Sequence, residues 1–214
     1  MCSIEENNKK ELIKELRLCN GNFSNVMEKC FYSIDPVIDV SCIIDEISKS
    51  FGVDKKSIIL CGSLRLGYSL SPKKNLRYID EAYNETNLIK YKSDIDIAIV
   101  DENLFYKLKQ RIFKYTNGLN NKWYNNEYYK DEKKEMTNDF FRYNYKGWFR
   151  PDFKPLGFEI CNEGSLEDLK KYVECKLNRK LAIAIYQDKF FFEQYYLYGY
   201  SVLHSKILKG DITI

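Results

Sequence analysis

The sequence has little of what marks several large classes of protein. It contains one histidine, His204, which excludes metalloproteases of the HExxH type and argues against histidine-based catalytic triads. Its seven cysteines include no CxxC pair, so neither a zinc site nor a disulfide framework is indicated. No apolar run approaches the roughly 18 residues that cross a bilayer, and the polar N-terminal segment lacks the apolar region of a secretory signal. We therefore expect a cytoplasmic protein without a membrane partner.

The composition is that of an ordinary globular protein. Hydrophobic residues make up 44% of the 214 residues and charged residues 30%, and the formal net charge is only +3. A charge this small does not by itself indicate a nucleic-acid-binding protein. There is no internal repeat and no linker of domain-separating composition, so we expect a single domain over residues 1–214. Its core is predicted at about 36–162, followed by a helical C-terminal part at about 163–214.

Hydrophobic periodicity predicts alternating helices and strands. Three short apolar runs are typical of buried strands: 57–61, 95–100 and 180–186. Five segments have helical spacing or helix-boundary residues: 8–19, 36–51, 102–116, 165–176 and 188–209. Residues 71–92 are expected to form an insertion, either a loop or a short extra element, and residues 117–147 a loop or a polar helical insertion. This order predicts an α/β (α+β) fold with a mixed twisted sheet flanked by helices.

Two aspartates interrupt the second predicted strand. Side chains alternate between the faces of a strand, so Asp94 and Asp96 are expected on one face, roughly 6.5–7 Å apart, with Ile95 and Ile97 on the other. Like charges at that distance repel unless a cation lies between them. Mg²⁺ fits because it accepts carboxylate oxygens and keeps positions for phosphate oxygens and water. The ordinary alternative is a strand with one solvated face.

A glycine and a small hydroxyl side chain end the first predicted strand. Gly62-Ser63 follows the apolar run 57–61. A turn of this kind lets backbone N–H groups approach phosphates closely. On its own the pair is typical of any turn, but a strand, this turn and then a strand with two aspartates form a more specific combination.

This combination resembles the signature of the nucleotidyltransferase superfamily typified by DNA polymerase β. The matching residues are Gly62, Ser63, Asp94 and Asp96, within residues 57–100. The family usually has fewer residues between the glycine turn and the acids, whereas residues 64–93 intervene here. The resemblance implies the nucleotidyltransferase fold and transfer of nucleotides from an NTP or dNTP with release of pyrophosphate, dependent on Mg²⁺ (or Mn²⁺).

The order of motifs over residues 57–203 also resembles small stand-alone nucleotidyltransferases of bacterial anti-phage defence, including the Hailong type. That resemblance implies template-independent synthesis of short single-stranded DNA. The implied partners are a nucleoside or deoxynucleoside triphosphate, an oligonucleotide product and a defence effector protein. Two alternatives stay open: a toxin-type nucleotidyltransferase that modifies tRNA or a protein hydroxyl, and a degenerate protein that binds nucleotide without turnover.

The family mechanism uses carboxylates to hold the metal ions. The resemblance assigns Asp94 and Asp96 to both ions and requires a third carboxylate to activate the nucleophile. Asp152, in the segment WFRPD, and Glu159, in the segment FEI, are the candidates. We favour Asp152, because the resemblance is best around GWFRPD, so the predicted catalytic and metal-binding set is Asp94, Asp96 and Asp152.

The triphosphate and the base need further side chains. Gly62, Ser63 and Ser93 are the candidates for phosphate binding. The candidate cations are Arg65, which we favour, Arg77 and Arg150. Trp148 and Tyr68 could stack on a base, although both are also typical core residues.

The last predicted helix carries a cluster of tyrosines: Tyr195, Tyr196, Tyr198 and Tyr200. A tyrosine hydroxyl can accept a transferred group, as a protein-primed reaction requires. The ordinary alternative is that the four rings pack as part of the core.

Overall fold

A mixed four-stranded sheet organises the part of the chain that this computed structural model describes, residues 3–88, 91–123, 125–126 and 134–212. The strands are β1 (Ile58–Cys61), β2 (Ile95–Val100), β3 (Asn125–Asn126), β4 (Lys134–Glu135), β5 (Trp148–Phe149) and β6 (Leu181–Tyr186). The central sheet has the order β1-β2-β6-β5, and β3 pairs with β4 separately. β2 is parallel to β6, while β1 and β5 are antiparallel to their neighbours. The predicted α/β class with a mixed sheet is confirmed.

Helices flank the sheet on both faces. They are α1 (Ser3–Leu18), α2 (Ser24–Glu28), α3 (Ser41–Phe51), α4 (Ser63–Leu66), α5 (Glu81–Thr86), α6 (Glu102–Tyr115), α7 (Met136–Tyr145), α8 (Leu166–Leu177) and α9 (Lys189–Lys209). Short π-helical and 3₁₀ segments lie at Lys29–Ser33, Lys55–Ser57 and Pro151–Phe153. In the described ranges no helix is both long and apolar enough to cross a membrane.

The alternation of side chains along β2 separates two apolar layers. Ile95, Ile97 and Ile99 are buried with residues of α3, α6 and α8 on one face. Ala98 lies on the other face, among residues of α1, α2 and α9. Each fully buried isoleucine contributes about 1.5–3 kcal/mol, so the face of each side chain is strongly specified. The predicted alternation is therefore confirmed.

Side-chain caps explain where several helices begin. The Ser165 side chain caps α8 by accepting a hydrogen bond from the Asp168 N–H, and the Asp188 side chain accepts one from the Phe191 N–H at the start of α9. The helix predicted at 36–51 is present, but its predicted start at residue 36 is wrong, because α3 begins at Ser41. The Asp39 carboxylate accepts the Ser41 N–H at 2.9 Å and holds the preceding residues in a non-helical turn.

Two segments for which the sequence leaves a loop or an inserted element open contain regular structure. Residues 71–92 contain α5, and a β-bridge between Tyr68 and Tyr78 closes the turn before it. Residues 117–147, of which 124 and 127–133 lie outside the described residues, contain β3, β4 and α7. The segment from about 163, predicted as a helical C-terminal part, also supplies β6, which lies between β2 and β5. The sheet is therefore completed by a strand that lies outside the predicted core.

Candidate active site

A cavity of about 550 Å³ opens beside the sheet, on the face that carries Ala98. Its lining includes Gly62, Ser63, Ser93, Asp94 and Asp96, which are far apart in the chain. β1 delivers the glycine turn and β2 delivers the acids, because the two strands pair antiparallel with Cys61 opposite Asp96. The antiparallel register therefore brings both halves of the sequence motif to one place.

Asp96 is a half-buried acid that forms no ion pair with any residue that the structure describes. Its strand neighbours are Cys61 on β1 and Ala182 on β6, neither of which can neutralise it. Among the described residues none donates a hydrogen bond to its carboxylate. Burial, and then the charge of Asp94, raise the pKa of Asp96 to about 6, although Lys74 opposes the shift. Hard oxygen donors in this state fit a divalent cation such as Mg²⁺ or Mn²⁺.

Gly62 touches the acid directly. Its backbone has φ 68° and ψ −159°, a combination that is essentially restricted to glycine. A Cβ at this position would overlap Oδ2 of Asp96 and lie 3.2 Å from its Cγ. The turn can therefore lie this close to the Asp96 carboxylate only while residue 62 lacks a side chain.

The third predicted carboxylate is not found beside the pair. In the described part of the chain, no group of three or more His, Cys, Asp or Glu residues is placed to hold a metal ion. Asp152 does not line the cavity, and its carboxylate accepts a hydrogen bond from Arg150 Nε at 2.7 Å. The set Asp94, Asp96 and Asp152 is therefore not assembled in this structure.

Glu159, the alternative third acid, has a structural role. Its Oε1 accepts the N–H groups of Ile160, Cys161 and Leu166 at 2.7, 3.1 and 3.2 Å. Burial acts to raise the pKa of Glu159, but these backbone donors outweigh it and the pKa lies below its ordinary value. The carboxylate is thus used to order the loop that leads into α8.

These positions predict different outcomes for the two carboxylates. We expect Asp152→Asn to lower kcat by less than about tenfold, because it loosens Arg150 but removes no ligand from the acid pair. Glu159→Gln should lower the melting temperature, since an amide is a weaker acceptor for three N–H groups, and should leave kcat nearly unchanged. Steady-state kinetics and thermal unfolding of both variants test this. A loss of more than about 100-fold in kcat at unchanged KM for Asp152→Asn would restore it as the third acid.

The three arginines predicted as cations for the triphosphate differ in whether they line the cavity. Arg150 lines the cavity. Arg65 does not, and its Nε donates to the Cys30 carbonyl at 2.7 Å. Arg77 does not line it either and pairs with Glu81 and Glu85. The prediction that Arg65 binds the triphosphate is therefore not supported by its position.

The two aromatic residues that could stack on a base, Trp148 and Tyr68, lie in different places. Trp148 lines the cavity, whereas Tyr68 is fully buried in the core. The Trp148 ring stacks on Tyr186 at 6.0 Å between centroids and tilts against Tyr195 at 4.6 Å. We call Trp148, Tyr186 and Tyr195 the aromatic wall, since all three line the cavity.

The tyrosines of α9 are not equivalent. Tyr195 and Tyr196 line the cavity, and Tyr195 is half exposed. Tyr198 is 76% exposed and Tyr200 is buried, and neither lines the cavity. Burial raises the pKa of Tyr195, and the nearby charge of Arg150 opposes this. Of the four, Tyr195 is the one that combines access to solvent with a place in the cavity.

Sequence reasoning missed one wall of the cavity. Ser71 and Lys74 belong to the segment 71–92 and Ser69 lies just before it, yet all three line the site. The turn that carries them is held by Lys206 Nζ of α9, which donates to the Pro72 carbonyl at 2.7 Å and to Asn75 Oδ1 at 2.6 Å. The only signal in the sequence is the cluster of serine and lysine in SLSPKK, which has no period that would place it.

The site thus combines a glycine turn, two adjacent carboxylates, the cations Lys74 and Arg150, and an aromatic wall. Such a set can bind a polyphosphate near a divalent cation and stack an aromatic base. Comparisons of the chain with protein-family models, with curated proteins and with solved structures give no match.

Proposed function

We propose that the protein is a metal-dependent nucleotidyltransferase, which transfers nucleotides from an NTP or dNTP and releases pyrophosphate. The observation that supports this best is the meeting of Gly62-Ser63 with Asp94 and Asp96 in one cavity, although residues 64–93 separate them in the chain. Either pair alone is common. Their contact through the antiparallel register of β1 and β2 is what the family resemblance requires.

The triphosphate would bind to groups on several sides of the acids. The Ser63 hydroxyl and the backbone N–H groups of the turn can donate to phosphate oxygens. Ser93, Lys74 and Arg150 also line the cavity, and the two cations would balance charge on the phosphates. A volume of about 550 Å³ is in the range of cavities that hold molecules of nucleotide size. The aromatic wall offers flat surfaces on which a base can stack.

Asp94 and Asp96 would hold the metal ion through their carboxylate oxygens. When bound, the ion would stabilise charge on the transferred phosphate and lower the pKa of the attacking hydroxyl. The half-buried Asp96 would lose its repulsion from Asp94 once the site holds a cation. Two carboxylates completed by substrate phosphates and water are a common arrangement for Mg²⁺.

The product that we propose is a template-independent oligonucleotide, single-stranded DNA in anti-phage defence, recognised by a defence effector protein. The defence context rests on the family resemblance of residues 57–203. The test is to incubate the purified protein with each NTP and dNTP and with Mg²⁺ or Mn²⁺. Products are then separated on a gel and identified by mass spectrometry, and pyrophosphate is measured in parallel. Free oligomers from one or more dNTPs are the expected result.

A second candidate is a protein that binds nucleotide without turnover. It is favoured by one observation, the lack of a third carboxylate beside the acid pair among the described residues. Binding of nucleotide without any pyrophosphate release would support it. Label transferred to tRNA or to another protein, instead of free oligomers, would support the toxin-type alternative.

Tyr195 is the best candidate for an acceptor on the protein itself. If synthesis is protein-primed, Tyr195→Phe should stop initiation from triphosphates but leave extension of a supplied primer intact, because only a hydroxyl is removed. Tyr198→Phe is the matched control, since that side chain lies on the same helix outside the cavity. Intact-mass spectra should show a nucleotide adduct on the wild type and on Tyr198→Phe only. Free oligomers with a 5′-triphosphate and no adduct would mean that the enzyme starts from a free nucleotide.

A further inference from the structure

A side-chain pair outside the cavity holds the residue that precedes the first acid. The Ser93 N–H donates to Asp80 Oδ1 at 2.7 Å, and the Ser93 carbonyl accepts from Arg179 Nη1 at 2.8 Å. Arg179 Nη1 also donates to Asp80 Oδ1 at 3.0 Å, and its Nη2 donates to Asp80 Oδ2. Both backbone groups of Ser93 are therefore bound by one bidentate ion pair, which we call the clamp (Asp80 and Arg179).

Where the backbone pairing of β2 with β6 stops, the side chains of the clamp continue the hydrogen bonding between the two segments. The parallel pairing of β2 and β6 begins at Ile95 and Leu181, with the Ile95 N–H bound to the Lys180 carbonyl at 2.8 Å. Arg179 directly precedes that pairing and continues it to Ser93. Asp94 therefore lies between two residues whose backbones are both fixed, although its own carboxylate is exposed.

The clamp also connects the acid strand to the glycine turn. Asp80 lies in the segment that separates the two halves of the motif. The residue before it, Ile79, donates its N–H to the Gly67 carbonyl at 2.8 Å, at the end of the α4 turn that begins with Ser63. Hydrogen bonds thus lead from that turn through Asp80 to Ser93 and β6, so the clamp adds a second connection between Asp94 and Gly62-Ser63 to the pairing of β1 with β2.

The clamp is better protected from water than a surface ion pair. The side chains of Arg179 and Asp80 are 12% and 14% exposed, compared with 27% and 44% for Arg150 and Asp152. A forked guanidinium can bind a carboxylate with two nitrogens and still reach a carbonyl, which an ammonium group cannot. The bidentate geometry of the clamp therefore requires arginine, and not lysine, at position 179.

We infer that Asp80 and Arg179 are positioning residues, which hold Asp94 at the distance from Asp96 and from the glycine turn that cation binding requires. The inference rests on the proposed function, since it assigns the clamp to the metal site of that function. Neither residue lines the cavity, so the clamp acts through the backbone of Ser93 and Asp94. Its loss should weaken cation binding and leave the other walls of the cavity in place.

The test measures binding of Mn²⁺ to the nucleotide-free protein by electron paramagnetic resonance, which needs no turnover. We expect Arg179→Met to raise the Kd for Mn²⁺ by about tenfold or more, as the loss of residues that orient metal ligands typically does. Arg179→Lys should give an intermediate value, because it keeps the charge but not the fork. Asp80→Asn should be the mildest, because its Oδ1 can still accept the Ser93 N–H.

Arg111→Met is the matched control for a loss of stability alone. Arg111 also holds backbone carbonyls, those of Glu159 and Ile160 at 2.7 and 3.4 Å, but far from Ser93 in the chain. It should lower the melting temperature and leave the Kd for Mn²⁺ unchanged. All measurements are made below the unfolding transition of each variant.

The outcomes separate the two claims. If the wild type and Arg179→Met bind Mn²⁺ equally, the positioning role is overturned while the metal site remains. If the wild type binds no Mn²⁺, or if Asp94→Asn binds it normally, the metal site of the proposed function is wrong and the inference falls with it. Should Arg179→Met fail to fold, Arg179→Lys and Asp80→Asn decide, since wild-type affinity in both overturns the inference.

Discussion

Asp96→Asn is expected to give an inactive protein that, without metal, is more stable than the wild type at neutral pH. The substitution keeps the shape of the side chain and removes the charge that the metal ion needs. Loss of a metal ligand removes several kcal/mol of transition-state stabilisation, so turnover should fall by at least about 10³-fold. Pyrophosphate release at saturating metal and nucleotide measures this. Wild-type rates would remove the metal-site assignment.

The gain in stability follows from the pKa of Asp96. Burial and the charge of Asp94 raise that pKa from 3.8 to about 6. An acid whose folded pKa lies above its unfolded value holds its proton longer in the folded state, so stability falls as the pH rises from about 4 to about 6. Asparagine does not titrate, and the metal-free variant should therefore gain on the order of 2 kcal/mol at pH 7.

Thermal unfolding in the presence of a chelator, from pH 4 to pH 8, checks this. The melting temperature of Asp96→Asn should exceed that of the wild type by several degrees above pH 6, and the two should converge near pH 4. Addition of Mn²⁺ should stabilise the wild type only. Asp94→Asn is the companion variant and should be equally inactive. Its gain in stability should be smaller than that of Asp96→Asn, because Asp94 is exposed. An Asp96→Asn variant that is less stable than the wild type at pH 8 would contradict the idea that this charge is destabilising.

The parts of the fold that could be predicted are those with a strong local pattern. The strand with Ile95, Ile97 and Ile99 and the helix after Ser165 follow from periodicity and capping, and both are present. β5 could not be predicted, because two residues have no period, and it is defined by pairing with β6. The role of β6 as an inner strand also depends on a parallel pairing over a long separation, which local sequence does not encode.

The residues of the site also divide into those that the sequence could place and those that it could not. Gly62, Ser63, Asp94 and Asp96 could be placed together because each pair follows or lies on a readable strand. Lys74 could not, because the turn that brings it to the cavity is held by Lys206 through hydrogen bonds that span 134 and 131 residues. Arg65 illustrates a related limit: proximity to the motif in sequence does not tell on which side of a short helix a side chain lies, and the Arg65 guanidinium binds the Cys30 carbonyl and does not line the cavity.

Gly62→Ala is expected to reduce activity more than removal of the neighbouring hydroxyl. At φ 68° and ψ −159° an alanine is strained, and its Cβ would overlap Oδ2 of Asp96. The acid must move or the turn must open, and either change separates the phosphate donors from the metal ligands. We expect kcat/KM to fall by about 10²-fold or more, because misplacement by about 1 Å has effects of that size. Ser63→Ala removes one neutral hydrogen bond, about 1 kcal/mol, and should lower kcat/KM about fivefold.

Gly164→Ala is the matched control, because it separates backbone strain from the clash with Asp96. Gly164 has φ 69°, almost the value at Gly62, but a Cβ there would meet nothing within 4 Å. A left-handed alanine costs about 1–2 kcal/mol of stability, so this variant should unfold at a lower temperature and keep wild-type kcat/KM. If Gly62→Ala loses stability to a similar extent but keeps wild-type kcat/KM, Gly62 is needed only for the backbone conformation of the turn. A large loss of kcat/KM in Gly62→Ala only, at temperatures where both variants are folded, is the result that ties this glycine to the acid pair.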